Sequence, residues 1–118
     1  MNRHLPMLLL ALPFVVALAP AAADTPRTID VTVSRFQFVP EVIELKQGEK
    51  VQLNVTSTDG THGFEVKELG VRARIPNGKS VTLDVTATAA GTFEVKCSEY
   101  CGAGHSRMKA RIVVKPAE

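Results

Sequence analysis

Apolar and polar side chains alternate along most of the chain after residue 26. Ile29-Asp-Val-Thr-Val33, Val51-Gln-Leu-Asn-Val55 and Val81-Thr-Leu-Asp-Val-Thr86 repeat every second residue, the period of a strand with one buried face. The third is the most regular. Phe36-Gln-Phe-Val-Pro40 reads as extended and stops at proline, and Val42-Ile-Glu-Leu45 as a short strand. His62-Gly-Phe-Glu-Val66, Val71 to Ile75, Phe93-Glu-Val-Lys-Cys97 and Ala110-Arg-Ile-Val-Val114 complete the set. Turn residues separate them: Gln47-Gly48-Glu49, a polar loop from Thr56 to Thr61 around Asp59-Gly60, Pro76-Asn-Gly78 and Ala89-Ala-Gly91. No helical period and no internal repeat follow residue 23. Seven or so short strands at this spacing predict an all-β sandwich.

Residues 1–23 break the pattern. Arg3 and His4 precede an apolar run from Leu5 to Ala23, interrupted by Pro6, Pro13 and Pro20. Ala21-Ala22-Ala23 then supplies small residues before Asp24, the layout of a cleaved secretory signal. The rival reading is a single membrane anchor over residues 5–23, since a spanning helix needs roughly 20 apolar residues. The division is a signal or anchor over 1–23 and one domain over 24–118, periplasmic or otherwise exported, or anchored and facing the periplasm.

Composition narrows the function. The chain has 118 residues, 45% hydrophobic and 22% charged, with net charge +2. That is an ordinary globular balance, without the basic excess that nucleic-acid binding calls for. Five Phe, one Tyr and no Trp leave the core to Val, Ile and Leu.

The chemistry is concentrated in Cys97-Ser-Glu-Tyr-Cys-Gly-Ala-Gly-His-Ser-Arg-Met108, which holds both cysteines. Thiolate, thioether and imidazole together select copper over hard cations. Strand parity places Cys97 with Phe93 and Val95, His62 with Phe64 and Val66, and Met108 with Ala110, Ile112 and Val114. All three then point into the sandwich at a strand end, and pairing brings His62 to a cluster 35 residues further on. Each residue also has a plain reading. His62 alone suits a turn, Met108 a core filler, and two exported cysteines a disulfide, although a Cys97–Cys101 bridge closes too small a loop to stabilise much. Two copper arrangements fit the combination. In one, His62, Cys101, His105 and Met108 form a mononuclear blue-copper set with Cys97 a spectator. In the other, both thiolates bridge two coppers, each histidine serves one copper, and Met108 and the Glu99 carbonyl cap them weakly.

The loop, with Asp59-Gly-Thr-His62-Gly-Phe64, resembles the CuA domain of cytochrome c oxidase subunit II, in its short, soluble-like form. Phe36 to Pro40 and Gln47-Gly48 are similar to the opening strands of cupredoxins. The likeness spans about residues 28 to 115. It implies a cupredoxin-like Greek-key β-sandwich and a mixed-valence dicopper centre. His62 and His105 would be terminal ligands, Cys97 and Cys101 bridges, and Met108 and the Glu99 carbonyl weak ligands. In that family electrons pass from cytochrome c to haem in subunit I, and the side chain matching Glu99 meets a metal at the subunit I interface. The implied partners are a c-type cytochrome or an oxidase subunit I. Three features depart from the family: no tryptophan, one N-terminal apolar segment, and Arg107, Lys109 and Arg111 beside the loop. The resulting expectation is one-electron transfer without substrate chemistry. A subunit of a cytochrome c oxidase, a periplasmic copper carrier and a blue-copper electron carrier are the alternatives.

Overall fold

The computed structural model describes residues 6, 9–16 and 26–117. The expected cleavage site at Ala21-Ala22-Ala23 lies outside them. Among the described residues no helix is long and apolar enough to cross a membrane.

Nine strands follow one another: β1 Arg27–Ser34, β2 Gln37–Val39, β3 Val42–Lys46, β4 Lys50–Ser57, β5 His62–Val66, β6 Val71–Ile75, β7 Ser80–Thr86, β8 Gly91–Lys96 and β9 Lys109–Lys115. Two short 3-10 turns, Lys67–Leu69 and His105–Arg107, are the only helical pieces among the described residues. The strands form two sheets, in the orders β2-β1-β4-β7 and β3-β9-β8-β5-β6. β1 pairs with β4, and β3 with β9, in parallel. The remaining pairs are antiparallel.

Alternation makes the two inner faces. In β4 the side chains of Val51, Leu53, Val55 and Ser57 are buried, while Gln52, Asn54 and Thr56 between them are half-covered. β1 contributes Val31 and Val33, β3 Ile43 and Leu45, and β9 Ala110, Ile112 and Val114. These apolar positions leave water on folding, which supplies the main drive for stacking the sheets. Phe38 and Phe64 meet edge to face across the core, with ring centroids 5.8 Å apart.

Some expectations change in detail. All nine extended segments read from the sequence form strands, more than the seven or so expected of the sandwich, and β2 and β3 are short. β4 runs on to Ser57, which shortens the polar loop expected from Thr56. The most regular sequence alternation belongs to β7, yet only Val85 is fully buried there. β7 is an edge strand, so its apolar side chains have cover from one neighbour only. Conversely, β5 is buried on both faces over His62, Gly63 and Phe64, because the loop after β8 folds across it.

Candidate metal centre

One end of the sandwich collects the C-terminal ends of β1, β4 and β8 and the first residues of β5 and β9. Pairing brings the expected residues there. Cys97 follows β8 directly, and its N–H still donates to the Met108 carbonyl at 3.3 Å, so the strand parity carries one residue past β8. Cys97 is 6% exposed, Met108 1% and His62 0%. The inward orientation expected for all three is what the fold places. Cys101 is also buried, on the loop, and His105 opens the second 3-10 turn, half-covered.

The donor atoms converge. Cys97 and Cys101 are free thiols with Sγ atoms 3.4 Å apart. One ligand atom each from His62, Cys97 and Cys101 lies within 4.8 Å of the others. His105 Nδ1 is 3.6 Å from Cys101 Sγ, and Met108 Sδ is 3.7 Å from it. The Glu99 carbonyl oxygen is 3.0 Å from Cys97 Sγ. The arrangement therefore has two sides. The thiols lie at the middle, the Glu99 carbonyl stands by Cys97, and His105 with Met108 stands by Cys101.

His62 is oriented by Asp59, a neighbour that reads in the sequence as part of a turn and of the motif but not as a contact of the ring. Its Nε2–H donates to the Asp59 carbonyl oxygen at 2.5 Å, with the Asp59 carboxylate at 3.4 Å. Nδ1 is buried and has no hydrogen-bond partner. A buried lone pair without a partner is costly unless something fills the position it faces. Fixing the far ring nitrogen is also how a protein sets the tautomer of a histidine that binds metal through the near one. Asp59 is itself held: its carboxylate accepts from the Arg35 N–H at 2.7 Å, and Ser57 Oγ donates to the Gly60 carbonyl to close the turn.

Two glycines let the loop sit where it does. β5 pairs with β8 with Glu65 opposite Lys96, which brings Gly63 alongside Ser98. A Cβ on Gly63 would stand 2.6 Å from the backbone nitrogens of both Ser98 and Glu99. The Gly63 N–H reaches Cys97 Sγ at 3.4 Å. On the other side of the loop the Phe36 ring packs against Gly104, where a Cβ would come within 2.9 Å of Cδ1 and closer to the ring carbons beside it. Sequence reading missed Asp59, Gly63, Gly104 and Phe36 in these roles. Adjacency of Asp59 and Gly63 to His62 was the available signal for the first two. Phe36 carried none.

The surroundings of Cys101 favour its protonated state. Burial pushes the Cys101 thiol up to about 11. The hydrogen bond to Cys97 and the charge of Cys97 add to this, Asp59 adds further, and Arg35 opposes it. A proton must therefore leave Cys101 when a cation binds. The donor set, two thiols, a thioether, a buried imidazole with a free nitrogen and a second imidazole, suits a soft or borderline transition metal and offers no cage of hard oxygens.

A cupredoxin-like domain model matches residues 6–114. The chain belongs to the cupredoxin-like family. It is 34% identical over 88 residues to a cytochrome c oxidase subunit 2 of Thermus thermophilus, a match covering 75% of this chain and 65% of that protein. A second subunit 2 sequence from Thermus thermophilus matches at 34% over 88 residues, 52% of its length. The cupredoxin thus spans between about half and two thirds of the curated relatives it matches first. Among solved structures, the periplasmic domain of subunit II of cytochrome oxidase from Bradyrhizobium japonicum superposes with a TM-score of 0.69 at 21% identity, over 76% of this chain and 84% of that one. That likeness is one of fold.

Proposed function

We propose that the cupredoxin is a one-electron carrier with a CuA-type dicopper centre, of the kind suggested by its likeness to oxidase subunit 2. The observation that carries the reading is the pair of buried thiols 3.4 Å apart, flanked by a histidine whose buried Nδ1 lacks any partner. Cys97 and Cys101 are the bridging ligands. His62, through Nδ1, and His105 are the terminal ligands, and Met108 and the Glu99 carbonyl the weak ones. Bound there, two coppers supply a reversible one-electron couple. The protein's own part is to hold the donors in place so that little moves between oxidation states. Asp59 fixes the His62 ring, the Gly63 N–H donates toward Cys97, and the sandwich excludes water from the thiols.

The same relatives support a setting outside the cytoplasm, and the sequence layout of residues 1–23 supports export. The domain works outside the cytoplasm and exchanges electrons with a c-type cytochrome or an oxidase subunit I. Residues 1–23 act as a secretory signal, leaving a mature N-terminus near Asp24. Intact-mass measurement of the exported protein tests that, and a full-length chain confined to membranes would contradict it.

A mononuclear blue-copper centre is the second reading, because Cys101 alone touches both His105 and Met108. Cys97→Ser separates the two. On the dicopper reading the variant binds one copper where the native protein binds two, and loses the spectrum of an electron shared by two nuclei. If the native protein binds one copper and Cys97→Ser changes neither count nor spectrum, the mononuclear reading replaces it.

A further inference from the structure

Tyr100 projects from the middle of the ligand loop with 80% of its surface exposed. It is the largest exposed side chain of that loop, and its ring centroid is 5.5 Å from that of His105, tilted by 49°. Phe36, 36% exposed, continues the apolar surface over Gly102 and Gly104. This exposed ring touches the half-covered histidine of the donor set and leaves apolar surface in water. Aromatic residues at the centre of a surface patch are a common feature of protein interfaces.

The rim of this patch is cationic. The Arg35 side chain lies over Gly60, with Nη2 3.3 Å from where a Cβ there would stand. Arg107 is exposed at the end of the turn that begins with His105. Lys79 is exposed in the loop whose Asn77 side chain accepts from the Gly60 N–H at 3.0 Å. No described carboxylate lies within 4.0 Å of these three cations. Two acids on the same loops offset this in part: Asp59, whose side chain is 46% exposed, accepts from the Arg35 N–H and lies by His62, and Glu99 is half-buried, so the three exposed cations still outnumber them.

We propose that this end of the sandwich is a docking face for an acidic one-electron carrier protein, with Tyr100 and Phe36 at its centre and Arg35, Lys79 and Arg107 at its rim. The inference rests on the copper reading above and specifies the partner of that centre. The partner loses one electron and the centre gains it, with no bond made or broken and no proton moved. The Tyr100–His105 contact is an aromatic route from the surface to a proposed ligand. Rim charges act mainly on association rate and its salt dependence, since fields between exposed charges fade beyond about 10 Å at 0.1 M salt.

The test uses copper-loaded protein and two probes of similar potential, an acidic and a basic c-type cytochrome, in stopped-flow mixing across ionic strength. The acidic probe reacts faster at low salt and slows as salt rises. The basic probe is slower and gains with salt. Arg35→Glu with Arg107→Glu slows the acidic probe about tenfold at low salt and inverts the preference. Tyr100→Ala slows transfer from the acidic probe at every salt concentration, and Tyr100→Phe restores it, with copper content and spectrum unchanged in both. Copper content measured on the same samples separates the two claims. Protein that takes up no copper refutes the functional reading. Fully loaded protein that reacts faster with the basic probe, or at rates indifferent to salt and to the double charge reversal, overturns the docking face.

Discussion

Replacing Gly63 by alanine adds one methyl group at the tightest backbone contact of the site. The new Cβ would meet the backbone nitrogens of Ser98 and Glu99 at 2.6 Å, and the Ser98 hydroxyl closer still. The hydroxyl can rotate away, but the two nitrogens belong to the chain between the cysteines. Ordinary contact begins near 3.4 Å, so that segment must retreat by the better part of an ångström. Gly63 is not among the glycines with positive φ, so the cost is steric rather than conformational. Overpacking of this kind costs about 1–3 kcal/mol. For a domain of this size each kcal/mol lowers the melting temperature by about 4–8 °C. Thermal unfolding of the reduced, metal-free protein should therefore show Gly63→Ala melting roughly 5–20 °C lower. Because Cys97 and the Glu99 carbonyl move with the segment, the variant should also take up copper incompletely or release it readily to a chelator. Gly70→Ala is the control. Nothing lies within 4 Å of its Cβ position, but its φ of +68° strains an L-residue, so it should lower stability and leave copper uptake intact. A Gly63→Ala protein with native melting and native copper uptake would refute this account of the loop.

Three further outcomes follow from the thiols. With the Cys101 thiol pushed up to about 11 by burial and by Cys97, proton release accompanies copper binding, and apparent copper affinity should rise with pH through the neutral range. The same shift makes the folded, reduced, metal-free protein hold its proton more tightly than the unfolded chain, whose thiol titrates near 9.0. Its stability should be insensitive to this group below about pH 9 and fall between about 9 and 11, and a series of melts showing a rise in that window would contradict it. The Sγ atoms, 3.4 Å apart, need only close to the ~2.05 Å of a disulfide, so air-exposed metal-free protein should require a reductant before it loads copper. Full loading without one would count against that.

Much of this arrangement is legible in the residues themselves. The period-two alternation of Ile29 to Val33 and Val51 to Val55 marks inner-face strands, and parity alone turns His62, Cys97 and Met108 inward. Both readings succeed because a strand has only two faces, and burial selects one of them. What parity cannot convey is cover. Val81 and Leu83 alternate as well as any residue, yet remain half-exposed because β7 is an edge. The supports of the site were hidden for a related reason. Phe36 rests on Gly104 and Gly63 on Ser98 through contacts between distant stretches, and neither pair leaves a local pattern. The Asp59 carbonyl acts through its backbone, which residue identity does not encode.

The central claim is that two coppers share one unpaired electron between Cys97 and Cys101. Copper quantification joined to electron spin resonance on the native, oxidised protein tests it most directly. The account predicts two coppers per chain and one unpaired electron, with hyperfine splitting from two equivalent copper nuclei. One copper per chain, with splitting from a single nucleus, would contradict it.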